Sequence, residues 1–493
     1  MSRECSIALL QWPYPDKVKP MTPTKPLPTI PPEKAKIVGL FGLSGHGTAS
    51  LLDQVKKEIG EGEFAFCDGN QALAAATPGG LMVYNAFGDD KRPKYRDMAL
   101  TGFEKECVRK HMIGVVTRFL ALWSEELHCY SVTPIADLKE HTHILYMAMP
   151  YGCYSRYQAG IFQDEEVRAN LKRWHGWQKG EISYLRHFCQ ANDITFTVLT
   201  PHLGAVPKVS SLIRDFRVLT EWHNRRYAEE QLMRIMSTPR SKTVETVLLF
   251  DADGTLSPHD SEHLIWRQVP DDLMPLGLQQ TPSKEAYGQL GSTYKDYLQT
   301  VLLHEENFED ETFAAVCQQA AAAIRLYPDM LALLHRALNT PHTLPIILTG
   351  GSRLVWENVL KMVGLSGAVG VIGGGRHEDR AIMTPDVKGW LITLLQERCK
   401  ANVWAFGSGE VDSIMLMKAN QAVLITDSER WLTENVKPDW KDVLDLICPQ
   451  LHDVILATNA PMALQYRPHE MRMLGRKLVR EIFTRRLPTV FEE

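Results

Sequence analysis

No apolar run in this chain approaches the roughly 18 residues that a membrane-spanning helix needs. Positive charge is not in excess: 54 Lys and Arg face 59 Asp and Glu, a net charge of −5. A dedicated nucleic-acid binder usually carries a basic surplus, so no nucleic-acid partner is expected. The nine cysteines contain no C-x-x-C pair, which argues against a zinc ribbon and for reduced thiols rather than a disulfide framework. The first twenty residues lack the apolar core and small-residue cleavage site of a secretory signal. Together these absences predict a cytoplasmic setting.

The sequence has a globular composition, 44 % hydrophobic and 23 % charged over 493 residues, too long for a single ordinary core. Eight prolines fall within residues 13–32, where they remove donors and fix φ. Residues 1–34 therefore read as an extended tail. Regular structure begins with the β-branched run KIVGLF (36–41), the glycine turn GLSGHG (42–47) and the amphipathic TASLLDQVKKEI (48–59). Strand, glycine loop and helix open a phosphate-binding α/β unit. Strands at 143–149 and 194–199, with long helices over 164–191 and 207–235, extend this unit across 35–238.

After the polar stretch 237–245, TVLLF (246–250) runs into Asp251-Ala252-Asp253-Gly254-Thr255. An aspartate at the carboxyl end of a strand lies where open α/β sheets bind ligands. Asp251 is placed to attack phosphorus, and Asp253 to protonate the leaving oxygen. Paired carboxylates repel phosphate, so a cation is needed, and Mg²⁺ suits oxygen ligands. A helical stretch over 258–340 precedes strands at 345–349, 368–372, 402–406 and 421–426. Thr349, at the end of the second strand, and the Gly350 amide are placed to donate to a phosphate oxygen. Lys388, at a helix start, is placed to neutralise the nucleophile and the phosphate. The expected fold class is α/β: two parallel-sheet domains, each a three-layer arrangement.

The order of these motifs resembles the haloacid dehalogenase superfamily, in its phosphoserine-phosphatase-like branch with a helical cap after the first motif. The resemblance covers about 245–430 and implies a phosphatase domain over 246–435, capped by 258–340, with residues 436–493 as an extension. It implies Asp251, Asp253 and Asp412 as metal ligands, and a small phosphorylated metabolite as substrate. The fourth motif departs: Gly407-Ser408-Gly409-Glu410-Val411-Asp412 carries Ser408 where the family carries a metal-binding Asp. Glu410 is a candidate substitute. A neutral hydroxyl weakens a hard-cation site, so an active phosphatase and a weak or inactive regulatory protein both stay open.

The first unit resembles adenylate-kinase-like P-loop folds, with Gly42, Gly45, Gly47 and Thr48 as the anion cradle. Thr48 stands where that loop needs lysine, so a non-kinase is expected. Arg156, Arg168 and Arg173 lie where such kinases place lid arginines. The pairing of both units resembles fungal fusion proteins that continue into a uracil-phosphoribosyltransferase-like domain, whose pyrophosphate loop does not occur here. His141 and His143 lack the partners of a zinc site. The triple glycine 373–375 reads as a turn. Residues 467–486 read as a basic amphipathic helix docked on the second unit.

Overall fold

A computed structural model describes residues 36–42, 48–88, 90–118, 121–123, 130–132, 135–148, 164–199, 205–269, 293–408 and 410–425. The proline-rich tail, residues 43–47, Arg156, and the C-terminal segment with its basic helix lie outside the described residues, as do the side chains of Arg168 and Arg173.

The first half runs β1 (Ile37–Gly42), α1 (Thr48–Ile59), β2 (Phe64–Asp68), α2 (Gly69–Ala76), α3 (Gly80–Asn85), α4 (Arg92–Lys110) and β3 (Ile113–Arg118). A small antiparallel pair follows, β4 (Ala121–Trp123) with β5 (Tyr130–Val132). Next come β6 (His143–Met147), α5 (Asp164–Ala191), β7 (Thr195–Leu199), α6 (Ala205–Val218) and α7 (Glu221–Met236). The five long strands form one sheet in the order β2-β3-β1-β6-β7, every neighbour parallel. The sequence reading missed β2 and β3. FAFCD is short and half-buried, and IGVVTR carries a glycine as its second residue, so neither stood out as a strand. The single helix expected over 207–235 is two. Leu219 and Thr220 interrupt it, and the Thr220 hydroxyl accepts from the His223 amide to cap α7.

The second half runs β8 (Thr246–Asp251), α8 (Ser261–Trp266), α9 (Tyr294–Asn307), α10 (Asp310–Ala323), α11 (Pro328–Asn339) and β9 (Thr343–Ser352). It continues with α12 (Arg353–Met362), β10 (Gly370–Gly374), α13 (Pro385–Glu397), β11 (Asn402–Gly407), α14 (Ser413–Lys418) and β12 (Gln421–Leu424). Its sheet is again wholly parallel, ordered β10-β9-β8-β11-β12. The α/β class is therefore met twice. Gly373 and Gly374, read from sequence as part of a turn, belong to β10 beside a bulge, and only Gly375 (φ +143°) leaves the strand.

β8 is buried at all six residues, as a central parallel strand covered on both faces must be. Its side chains alternate: Leu248 and Phe250 enter one core layer, Val247 and Leu249 the other. Phe250 stacks on Phe406 of β11 with ring centroids 4.4 Å apart, and burying such a ring contributes about 1.5–3 kcal/mol.

Helix α9 is the unexpected element. It lies in the helical stretch that follows β8, yet Tyr294, Tyr297, Leu298, Val301 and Leu302 pack with Val38, Leu40 and Leu145 in the core of the first sheet. Those five recur at helical spacing and form one stripe. The helix also closes an open edge. β7 ends its sheet, so the outward amides of Phe196 and Val198 have no strand to bond. Gln299 Oε1 accepts from Phe196 N at 3.1 Å, and Glu306 Oε1 accepts from Val198 N at 2.8 Å. Glu306 in turn pairs with Arg186 of α5 at 2.7 Å, both side chains under a tenth exposed. Covering an edge this way removes a template for pairing with other chains.

Candidate active site

The carboxyl ends of β8, β9 and β11, with the start of α13, bring five of the residues singled out in the sequence to one place. Asp251 ends β8 and is buried. The chain then turns through Gly254 at φ +75°, a backbone state that favours glycine. The turn gives Asp253 its own direction. Its Oδ1 accepts from Ser261 N at 3.0 Å and its Oδ2 from Ser261 Oγ at 2.8 Å.

Lys388 enters from the first turn of α13, whose N-cap is Thr384. The residue is 1 % exposed, and its ammonium donates to Asp251 Oδ1 at 2.6 Å and to Asp412 Oδ1 at 2.7 Å. A buried charge without partners is very costly; here one cation lies between two anions. Burial works against the ammonium, but Asp251 and Asp412 outweigh it and raise its pKa. Burial also raises the Asp251 carboxyl to about 6, helped by the Asp412 charge and opposed by Lys388. For Asp253, burial and the charges of Asp260 and Asp251 push the carboxyl up to about 8.

Thr349 is buried at the end of β9, and its Oγ1 accepts from Gly351 N at 3.1 Å. Gly351 is a necessity: a methyl there would stand 2.6 Å from Ser261 Oγ and 3.1 Å from Asp253 Oδ2. Ser408 N donates to Asp412 Oδ2 at 2.9 Å, and Ser408 Oγ donates to the Asp253 carbonyl at 3.3 Å.

A divalent cation needs several oxygen ligands free to turn towards it. Both carboxylate oxygens of Asp253 are engaged by Ser261, and both of Asp412 by Lys388 and the Ser408 amide. Asp251 is shared between Lys388 and the Thr255 hydroxyl. Ser408 adds no charge. Among the described residues no three His, Cys, Asp or Glu side chains are grouped to hold a metal. The set expected to bind Mg²⁺, Asp251, Asp253 and Asp412, does not fit a magnesium site as arranged, because Lys388 supplies the positive charge between two of its members.

The first-sheet candidates lie elsewhere. Gly42 ends β1 and Thr48 begins α1, the latter buried, while Gly45 and Gly47 fall outside the described residues. His143 is stacked on Phe216 at 4.2 Å and its pKa is driven down to about 3 by burial, so it is a neutral core residue. Three participants were not singled out in the sequence: Ser261, which orients Asp253; Tyr297, whose ring lies beside Gly350; and the buried pair Glu262–His304, Nε2 to Oε1 2.7 Å. Ser261 alone left a signal, as a hydroxyl that follows the Asp260 N-cap.

Comparison with known proteins bears on this half of the chain. Residues 248–417 match the family model described as haloacid dehalogenase-like hydrolase. A solved L-2-haloacid dehalogenase from Xanthobacter autotrophicus, with chloropropionic acid covalently bound, is similar at 15 % identity over 41 % of this chain and 88 % of that one, TM-score 0.26. A putative beta-phosphoglucomutase from Bacteroides vulgatus is similar at 12 % identity over 45 % and 99 %, TM-score 0.19. A chain of the Pnkp1/Rnl/Hen1 RNA repair complex is similar at 12 % over 80 % and 97 %, TM-score 0.21. No curated protein sequence matches.

Proposed function

We propose that the haloacid dehalogenase-like domain, residues 248–417, hydrolyses a small phosphomonoester through an aspartyl-phosphate. The observation that carries this reading is the different surroundings of two adjacent carboxyls. Asp251 is bonded to the Lys388 ammonium at 2.6 Å, while Asp253 is buried against Ser261. Burial raises both carboxyls, and Lys388 opposes that rise at Asp251. Environments that push two carboxyls apart in this way suit a nucleophile and a general acid. A carboxylate oxygen of Asp251 attacks phosphorus. As the ester bond breaks, the Asp253 proton passes to the leaving oxygen. Ionised Asp253 then takes a proton from water, the hydroxide attacks the acyl-phosphate, and phosphate departs with Asp251 restored. Lys388 orients Asp251 and offsets charge. Thr349 and the Gly350 amide line the approach of the phosphoryl oxygens. No step is routed through Mg²⁺.

The domain layout offered by the sequence, a P-loop-like unit over 35–238 and a phosphatase unit over 246–435, belongs to the same proposal. The first unit is read as a non-kinase phosphate-binding relic. The second reading, a slow or inactive regulatory protein, is favoured by one observation: the neutral Ser408 hydroxyl over the Asp251–Asp253 turn. A panel of phosphomonoesters assayed with the full chain and with Asp251→Asn separates them. The hydrolase reading expects the variant to lose at least about a thousand-fold in turnover. Equal rates in both proteins would end it.

A further inference from the structure

Beside the candidate active site lies a narrow, partly open pocket. One wall is a single face of α9, with Tyr297, Thr300 and His304; the opposite wall carries Gly350 and Gly351. Gly351 is also the residue that abuts Asp253, so the pocket opens next to the acid that would protonate a leaving group. Its one carboxylate is Glu262, 4 % exposed.

The bonding of Glu262 is lopsided. Oε1 accepts from Trp266 Nε1 and from His304 Nε2, both at 2.7 Å. Oε2 makes no hydrogen bond among the described residues, although the side chain is almost wholly buried and lines the pocket. Oε2 is the acceptor that Glu262 presents to the pocket, open to a donor that enters. His304 Nδ1 faces the Gly375 carbonyl at 2.8 Å, so both ring nitrogens point at acceptors. Burial works to discharge the ring, but Glu262 and the Gly375 carbonyl outweigh it. A ring that faces acceptors at both nitrogens is arranged to donate from both, so Glu262 already has its counter-charge in His304. A neutral hydroxyl satisfies Oε2 without adding charge. An ammonium would bring a second cation close to the imidazolium.

We propose that this pocket receives the leaving-group half of the substrate and that Glu262 Oε2 accepts a hydrogen bond from a hydroxyl on it, so that the substrate class is a small, uncharged, hydroxyl-bearing alcohol esterified to phosphate. The proposal rests on the hydrolase reading above for its orientation, with the phosphate towards Asp251. The pocket wall does not depend on a mobile cap, because α9 is bonded to β7 through Gln299 and Glu306. Glu262 is a specificity residue, and it does not touch the reacting phosphorus.

The test uses glycerol 3-phosphate, propyl phosphate and phosphoserine. Binding is measured by calorimetry on the full chain carrying Asp251→Asn, and turnover on the unaltered chain. Glycerol 3-phosphate is expected to bind at least ten-fold more tightly than the other two, since a site built for a hydroxyl rejects analogues that lack it. Adding Glu262→Gln should erase that preference. The amide oxygen must stay on Trp266 and His304, which leaves its NH₂ as a donor facing the pocket. Equal binding of propyl phosphate, or tighter binding of phosphoserine, overturns the proposal on unmodified Glu262, whatever the variant does. If turnover is seen without discrimination, the pocket assignment falls and the hydrolase reading stands. If discrimination is seen without turnover, the reverse holds. If neither appears, both fall.

Discussion

Replacing Glu306 with alanine removes both its pair with Arg186 and its bond to Val198 from the seam between α9 and the first sheet. The Arg186 guanidinium, 8 % exposed, loses the carboxylate 2.7 Å away. The Val198 amide loses its 2.8 Å acceptor. Breaking a buried pair by removing one partner costs about 3–5 kcal/mol, and an orphaned buried amide about 1–3 kcal/mol. The two penalties share one side chain and some water will enter, so the sum overcounts. We expect a loss of about 4 kcal/mol. At about 2–4 °C per kcal/mol for units of this size, the melting point should fall by roughly 8–16 °C. Urea titration and calorimetry measure this, with Glu230→Ala as control, because Glu230 forms an exposed pair with Arg226 and should shift stability by less than about 0.5 kcal/mol. Hydrogen exchange should show the Val198 amide losing protection first. A loss under 1 kcal/mol, or unchanged protection at Val198, would refute the argument that α9 secures the β7 edge.

Three further outcomes are expected. Ser408→Asp places a carboxylate over the Asp253 carbonyl now bonded by Ser408 Oγ, so Mg²⁺ should stimulate the variant at least ten-fold and the unaltered chain far less; equal responses in a metal titration would contradict the reading of Ser408. Burial opposes the Glu305 charge, but His377, Arg376 and Lys208 outweigh it and hold the carboxyl at about 2. A depressed carboxyl contributes stability above its usual 4.5 that is lost as pH falls from there towards 2. Glu305→Gln should therefore flatten the acid limb of a stability–pH curve, by up to about 3 kcal/mol, and an unchanged limb counts against the ion cluster. ATP should bind weakly or not at all, because Thr48 offers no cation to its phosphates; calorimetry showing tight, Mg²⁺-dependent binding would reverse that reading.

Much of the second half was legible in sequence because its chemistry is local. Asp251, Gly254 and Thr255 sit within five residues at the end of an apolar run, and the strand ends of Thr349 and Ser408 carry their own glycines. The N-cap Thr384 and Pro385 announced the helix that delivers Lys388. Other features were invisible because they are relations between distant residues. Nothing near Gln299 says that its amide will bond Phe196, 103 positions earlier. The stripe from Tyr294 to Leu302 showed that one face of α9 is apolar but not which sheet it would meet. The bonds around the three aspartates were hidden for a similar reason: composition shows Asp251, Asp253 and Asp412 but not that Lys388 and Ser261 engage them.

The bonding of α9 to β7 has a consequence for synthesis. The first sheet is translated as far as β7 well before the helix that covers its edge. At about 5–20 residues per second, the 103 residues from Phe196 to Gln299 take roughly 5–20 s to emerge. Throughout that interval the β7 edge lacks the α9 side chains that bond it, and neighbouring chains on one polysome carry the same strand. A messenger cut short within 237–245 would make that exposure permanent, so a truncated product should aggregate even though every strand of its sheet is present.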